Sequence, residues 1–181
     1  MKAKQLFMAI LIMTLMWADA CANRREVQQK GAQVLDLMNR LSPAADSSRQ
    51  DAHFKPNQYV IRKGLKKNAL IIVAPVRIKA SLQGVSGKAT LKGWAAPVFN
   101  VGDGLQMNIF LSRSGTRRQI AGRYFDSGRK AGDREWIPIE IPLDAGEQDW
   151  LEIEISAGPQ GDLTADWLAL SDLSLFRDQS S

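Results

Sequence analysis

A two-residue beat of polarity constrains this chain more than any other feature. In Leu105, Met107, Ile109 and Leu111 the apolar side chains stand two apart, with Gln106, Asn108 and Ser112 on the other parity. The same beat returns in Ile137-Ile139-Ile141 and in Leu151-Ile153-Ile155, the latter interleaved with Glu152 and Glu154. Successive side chains of a strand point to opposite faces, so each run buries one face and wets the other. No period of three to four residues fits 150–156. Half-buried antiparallel strands need a second layer over their apolar face, which predicts a sandwich of two sheets.

Nine such runs are legible: Gln58–Arg62, Ala69–Val73, Val76–Leu82, Lys88–Ala95, Leu105–Leu111, Gln119–Phe125, Glu135–Ile141, Trp150–Ser156 and Leu173–Phe176. Short strands separated by Gly- and Pro-bearing turns predict an all-β jelly-roll β-sandwich over 58–177, with 178–181 as a tail. Pro138 falls inside a run, which marks that strand as an edge or a bulge. Upstream, 23–57 reads as helix and linker. Val27, Val34, Met38 and Leu41 share one side of a helix over Asn23–Leu41 that Ser42-Pro43 ends, and polar residues from Ala44 to Pro56 form the linker.

Residues 1–22 read as an export signal. Lys2 and Lys4 flank an apolar core from Leu6 to Trp17, too short to span a bilayer as a mature helix. Small residues offer cleavage after Ala22, releasing a soluble protein, or after Ala20, leaving Cys21 at the new terminus as a lipidation site. Either way the mature chain works outside the cytoplasm, as a periplasmic, cell-surface or secreted protein. Loss of residues 1–22, with two Lys and one Asp, lowers the formal charge from +5 to +4. The basic clusters Arg62–Lys67 and Arg113–Arg123 read as solvated turns, with a landing surface for an anionic polymer or headgroups as the sharper alternative. Nucleic acid is not expected, since no reader motif is present.

One Cys and one His exclude a disulfide framework and a Cys-based zinc site. His53 lies in the polar linker, so a serine hydrolase triad is not expected. Glu140, Glu152 and Glu154 could be imagined as a glycosidase pair, but alternation explains the last two as the wet face of one strand. Asp103, Asp162 and Asp166 fit turn chemistry rather than calcium ligation. No enzyme, cofactor or metal is expected.

Parity also identifies the rings that point away from the core. Trp94, Phe110 and Trp136 fall opposite the aliphatics of their own runs, and Arg123 falls opposite Tyr124. An outward ring beside amides and charges suits a sugar, because the ring stacks on C–H faces while polar neighbours bond hydroxyls. Trp94, Phe110 and Trp136 are the expected stacking residues and Arg123 the expected polar partner. Trp167 is expected to be a core plug fixing the closing strand.

Several short motifs follow one another in order: Ala74–Ile78, Gly102-Asp103-Gly104-Leu105, Arg134–Pro138, Gly158–Asp162 and Asp166-Trp167. Over 69–176 this progression resembles the jelly-roll, galactose-binding-like modules of bacterial exported proteins of glycan metabolism, the NPCBM carbohydrate-binding domain among them. The resemblance implies a non-catalytic β-sandwich that binds a cell-envelope or extracellular carbohydrate. The alternative expectation is an interaction subunit of an envelope polysaccharide or secretion assembly. That subunit would meet a protein partner through the helix and basic turns, with no sugar bound.

Overall fold

The computed structural model describes residues 32–44, 54–161 and 165–177. The signal segment with Cys21, the first part of the expected helix, His53 and Asp162 lie outside them. Two antiparallel sheets form the fold. The larger runs in the order β3(Phe54–Arg62), β4(Leu65–Val73), β11(Trp167–Arg177), β6(Gly87–Pro97), β9(Ile137–Ala145), with β1(Ala32–Asp36) also paired to β11. The smaller runs β2(Ser42–Pro43), β5(Val76–Ser81), β10(Trp150–Ala157), β7(Leu105–Arg113), β8(Thr116–Phe125). A short 3-10 turn spans Ala131–Arg134.

Each of the nine expected strands is present, most of them longer than the alternation indicated. The pattern is clearest on β7, whose burial alternates from Leu105 to Leu111, and on β10, where Leu151, Ile153 and Ile155 are buried between half-exposed glutamates. Ile78, Leu91, Ile109, Leu151, Ile153, Leu170 and Leu175 are fully buried where the sheets face each other. Burial of such side chains is worth about 1.5–3 kcal/mol each before conformational entropy is counted. β9 is an edge strand, as Pro138 requires.

The expected helix over Asn23–Leu41 is corrected where it can be seen. Ala32–Asp36 is a strand against β11, and the Leu37 N–H donates to the Leu173 carbonyl at 3.0 Å. Leu35, Leu37 and Leu41 enter the core, a use of the segment that helical spacing does not reveal. The Asp36 carboxylate accepts from the Met38 N–H at 2.9 Å and from the Asn39 amide at 3.0 Å, turning the chain instead of letting a helix propagate. β3 begins at Phe54, within the stretch expected to be linker.

Gly104 closes the turn into β7 with φ +93°, and a Cβ there would lie 2.4 Å from the Phe125 carbonyl oxygen. Only glycine fits that combination. Beside it the Tyr124 hydroxyl donates to the Asp103 carbonyl, and the Gln160 N–H donates to Asp103 Oδ2 at 2.7 Å. Burial raises the Tyr124 phenol above its ordinary range, and the Asp126 and Asp103 carboxylates add to this. Asp103 therefore ties two turns together.

Candidate functional site

The expected aromatic residues do not converge. Register puts Trp94 on the outer face of the larger sheet, opposite Ser171 and Pro138, while Phe110 lies on the outer face of the smaller one, opposite Glu152 and Gln119. Trp136 is corrected from platform to structural residue. It is 7% exposed, and its indole N–H donates to the Leu65 carbonyl at 3.0 Å. With Val60, Ile71, Ala96 and Ala169 it fills a small apolar cluster, and half-buried Trp94 and Trp167 pack against it. Trp167 thus lies outside the sandwich interior, edge-on to Phe99 at 5.2 Å, with the Lys55 ammonium 4.3 Å from its ring.

Arg123 is engaged within the fold. Its Nη2 donates to Asp133 Oδ1 at 2.8 Å, while the Asp126 N–H donates to Asp133 Oδ2 at 2.8 Å. Burial works to raise the Asp133 carboxyl, but these two donors together hold it below the ordinary range. Arg123 belongs to a latch between β8 and the 3-10 turn.

The outer face of the smaller sheet gathers a richer set. Cross-strand register lays out three rows: Ser81, Trp150, Ser112, Arg117; Lys79, Glu152, Phe110, Gln119; and Arg77, Glu154, Asn108, Gly122. Arg117 is the hub. Its guanidinium stacks 3.4 Å from the Phe110 ring centroid, and its nitrogens reach Glu152 at 2.9 Å and Glu154 at 2.7 Å. The Ser112 hydroxyl also donates to Glu152. Farther along, the Asn108 side-chain oxygen accepts from Gln106 at 3.0 Å and from Gln119 at 3.1 Å. Gly122 leaves room for those amides, since a Cβ there would stand 2.7 Å from the Gln119 amide nitrogen and 2.9 Å from the Asn108 oxygen.

At one end of this face lies a groove of about 500 Å³, lined among others by Arg77, Lys79, Arg117, Gln148, Trp150 and Glu152. Trp150 is 41% exposed, and the Lys79 ammonium is 5.0 Å from its ring centroid. Sequence reasoning passed over this tryptophan, although it shares the parity of Glu152 and Glu154 and so had to face outward with them. Phe110, by contrast, carries Arg117 on its face, so its ring orients the guanidinium. Among the described residues no group of three or more His, Cys, Asp or Glu side chains is placed to hold a metal ion.

Two antiparallel sheets with this strand order form a jelly-roll β-sandwich. Three solved structures illustrate the likeness. The CBM22-1 xylan-binding domain from Paenibacillus barcinonensis Xyn10C has a TM-score of 0.53 at 10% identity, over 84% of this chain and 98% of that one. CBM51 from Clostridium perfringens GH95, in complex with methyl-galactose, has a TM-score of 0.51 at 11% identity, over 78% and 98%. CBM51-2 with INT domains from Clostridium perfringens ZmpB has a TM-score of 0.50 at 8% identity, over 68% of this chain and only 28% of that longer one. At such identities the likeness is one of fold. No family model and no curated protein matches the sequence.

Proposed function

We propose that this protein is a non-catalytic glycan-binding module that takes its ligand on the outer face of the smaller sheet, over Trp150. The observation carrying the reading is an exposed indole standing in a groove walled by hydrogen-bonding side chains. A pyranose needs an apolar plane for its C–H face and fixed donors and acceptors for its hydroxyls. Here Ser112, Gln148, Arg77 and Arg117 supply the polar part. The fold neighbours support the reading, since one is described as xylan-binding and another is in complex with methyl-galactose. In this reading Glu152 and Glu154 are engaged by Arg117 and orient the face rather than act as an acid–base pair. Affinity electrophoresis against a polysaccharide panel tests it: Trp150→Ala should abolish retardation while Trp94→Ala leaves it intact. The reverse pattern would move the site to the other sheet.

An envelope setting belongs to the same proposal, with the chain either released after Ala22 or anchored through a lipid on Cys21. Mass spectrometry of the mature N-terminus distinguishes the two. One observation favours the second reading, an interaction subunit of an envelope assembly. The β3–β4 hairpin exposes Tyr59 at 70%, Ile61 at 61% and Leu65 at 49%, apolar area of the kind that marks contact surfaces. Crosslinking from position 59 in envelope extracts should then capture a defined partner, and Ile61→Asp should abolish the capture.

A further inference from the structure

Resting on that reading of the Trp150 face, we infer that the glycan it binds is anionic, and that Lys79 is the residue selecting for the negative charge. Arg77, Lys79 and Arg117 supply three cations, against the carboxylates of Glu152 and Glu154. Arg117 engages both carboxylates, and Arg77 Nε stands 3.8 Å from Glu154. Glu152 is the direct cross-strand neighbour of Lys79, yet it turns the other way, to Arg117 and the Ser112 hydroxyl. Lys79 is left with no ion pair among the described residues, its ammonium held over the Trp150 indole and facing the groove.

That placement discriminates between ligands. A neutral sugar stacking on this side of Trp150 has to displace the ammonium from the ring and offers it only hydroxyls in return. A sugar bearing a carboxylate next to the stacked ring gives the ammonium an ion pair in the same movement, and charge-assisted bonds are the stronger kind. Arg77, two residues along the same strand and facing the same way, widens the positive rim. The two glutamates are offset before a ligand arrives, because Arg117 spans both and Arg77 stands 3.8 Å from Glu154.

The test is affinity electrophoresis of the full chain in gels containing polygalacturonate, alginate or hyaluronan, with methyl-esterified polygalacturonate and a neutral galactan beside them. Esterification keeps the sugar ring and removes the charge. At least one polyuronate should bind about tenfold or more tighter than the ester, a difference that weakens in about 0.5 M salt. Lys79→Met should erase the difference, Lys79→Arg should restore it, and Trp150→Ala should abolish retardation by both forms. Equal binding of acid and ester, unaffected by Lys79→Met, would overturn the anionic class while leaving the glycan module standing. Retardation by polyuronates that survives Trp150→Ala would also overturn it, since the charge would then be read elsewhere. Retardation by none of these polymers would defeat the inference, and the wider neutral panel would decide separately whether the proposed function survives.

Discussion

Two tryptophans of this chain have opposite fates, and the difference lies in their hydrogen bonds. Trp136 buries its indole and donates to the Leu65 carbonyl, whereas Trp150 remains 41% exposed with a lysine over its ring. Removing a buried indole leaves both a cavity and an unpaired carbonyl. Trp136→Ala should therefore cost about 3–5 kcal/mol in urea unfolding. Trp150→Ala empties no cavity and should shift stability by no more than about 0.5 kcal/mol while removing binding. A large loss of stability at Trp150 would make it a structural residue and displace the proposed site. Glycine sets a third residue-scale limit. Gly104→Ala meets both φ +93° and a carbonyl at 2.4 Å, so it should yield insoluble protein or a sharply lowered melting temperature.

Turns and strands carry the next set of consequences. The turn between β9 and β10 is held by Asp149, which is 1% exposed and accepts from Arg113 at 2.9 and 2.8 Å and from the Gly146 N–H at 2.8 Å. The hydrogen bond from Arg113 is the leading cause that holds the Asp149 carboxyl below its ordinary range, against the opposing effect of burial, and Asp133 is held low in its own latch. A carboxyl whose folded pKa is depressed stabilises the fold above its unfolded value, near 3.9, and that contribution fades as pH falls through the folded value. Stability should thus decline from about pH 4 downward. Asp149→Asn should flatten that decline while lowering the urea midpoint at pH 7, and an unchanged acid limb would show that the latch contributes nothing. These latches were not legible in the sequence, because Arg113 and Asp149 meet only once β7 and β10 pair. The strands were legible, since a period of two needs no knowledge of neighbours. β1 was not, because Val34, Met38 and Leu41 satisfy a helical spacing while Leu35 and Leu37 satisfy an extended one. The outward parity of Trp94, Phe110 and Trp136 was readable. What was not readable was that Phe110 lies on the other sheet from the two tryptophans and that Trp136 is covered by Val60 and Ile71, since strand order is absent from periodicity.

At the scale of the whole molecule, the order of the larger sheet sets how the protein must fold. β11, the last strand in the chain, lies between β4 and β6, and β1 adds to that same strand. Until residues 167–177 arrive, the two hairpin-like halves of that sheet have no common partner, and Leu168, Leu170, Leu173 and Leu175 are missing from the core. Long-range pairing of this kind must close large loops before any contact repays the entropy, which places refolding in the millisecond-to-second range or slower. A chain ending at Asp166 should show no cooperative urea transition, whereas the full chain should unfold in one step when followed by tryptophan fluorescence and by far-ultraviolet circular dichroism. The proposed binding face lies on the other sheet, yet it depends on this closure, because Ile153 and Ile155 of β10 alternate with Glu152 and Glu154 and pack against the layer that β11 completes. Core truncations in β11, such as Leu170→Ala, should therefore weaken glycan retention only in proportion to the fraction unfolded. Trp150→Ala should weaken it with the fold intact. Retention that falls while Leu170→Ala remains fully folded would mean that the two sheets are coupled more tightly than a shared core requires.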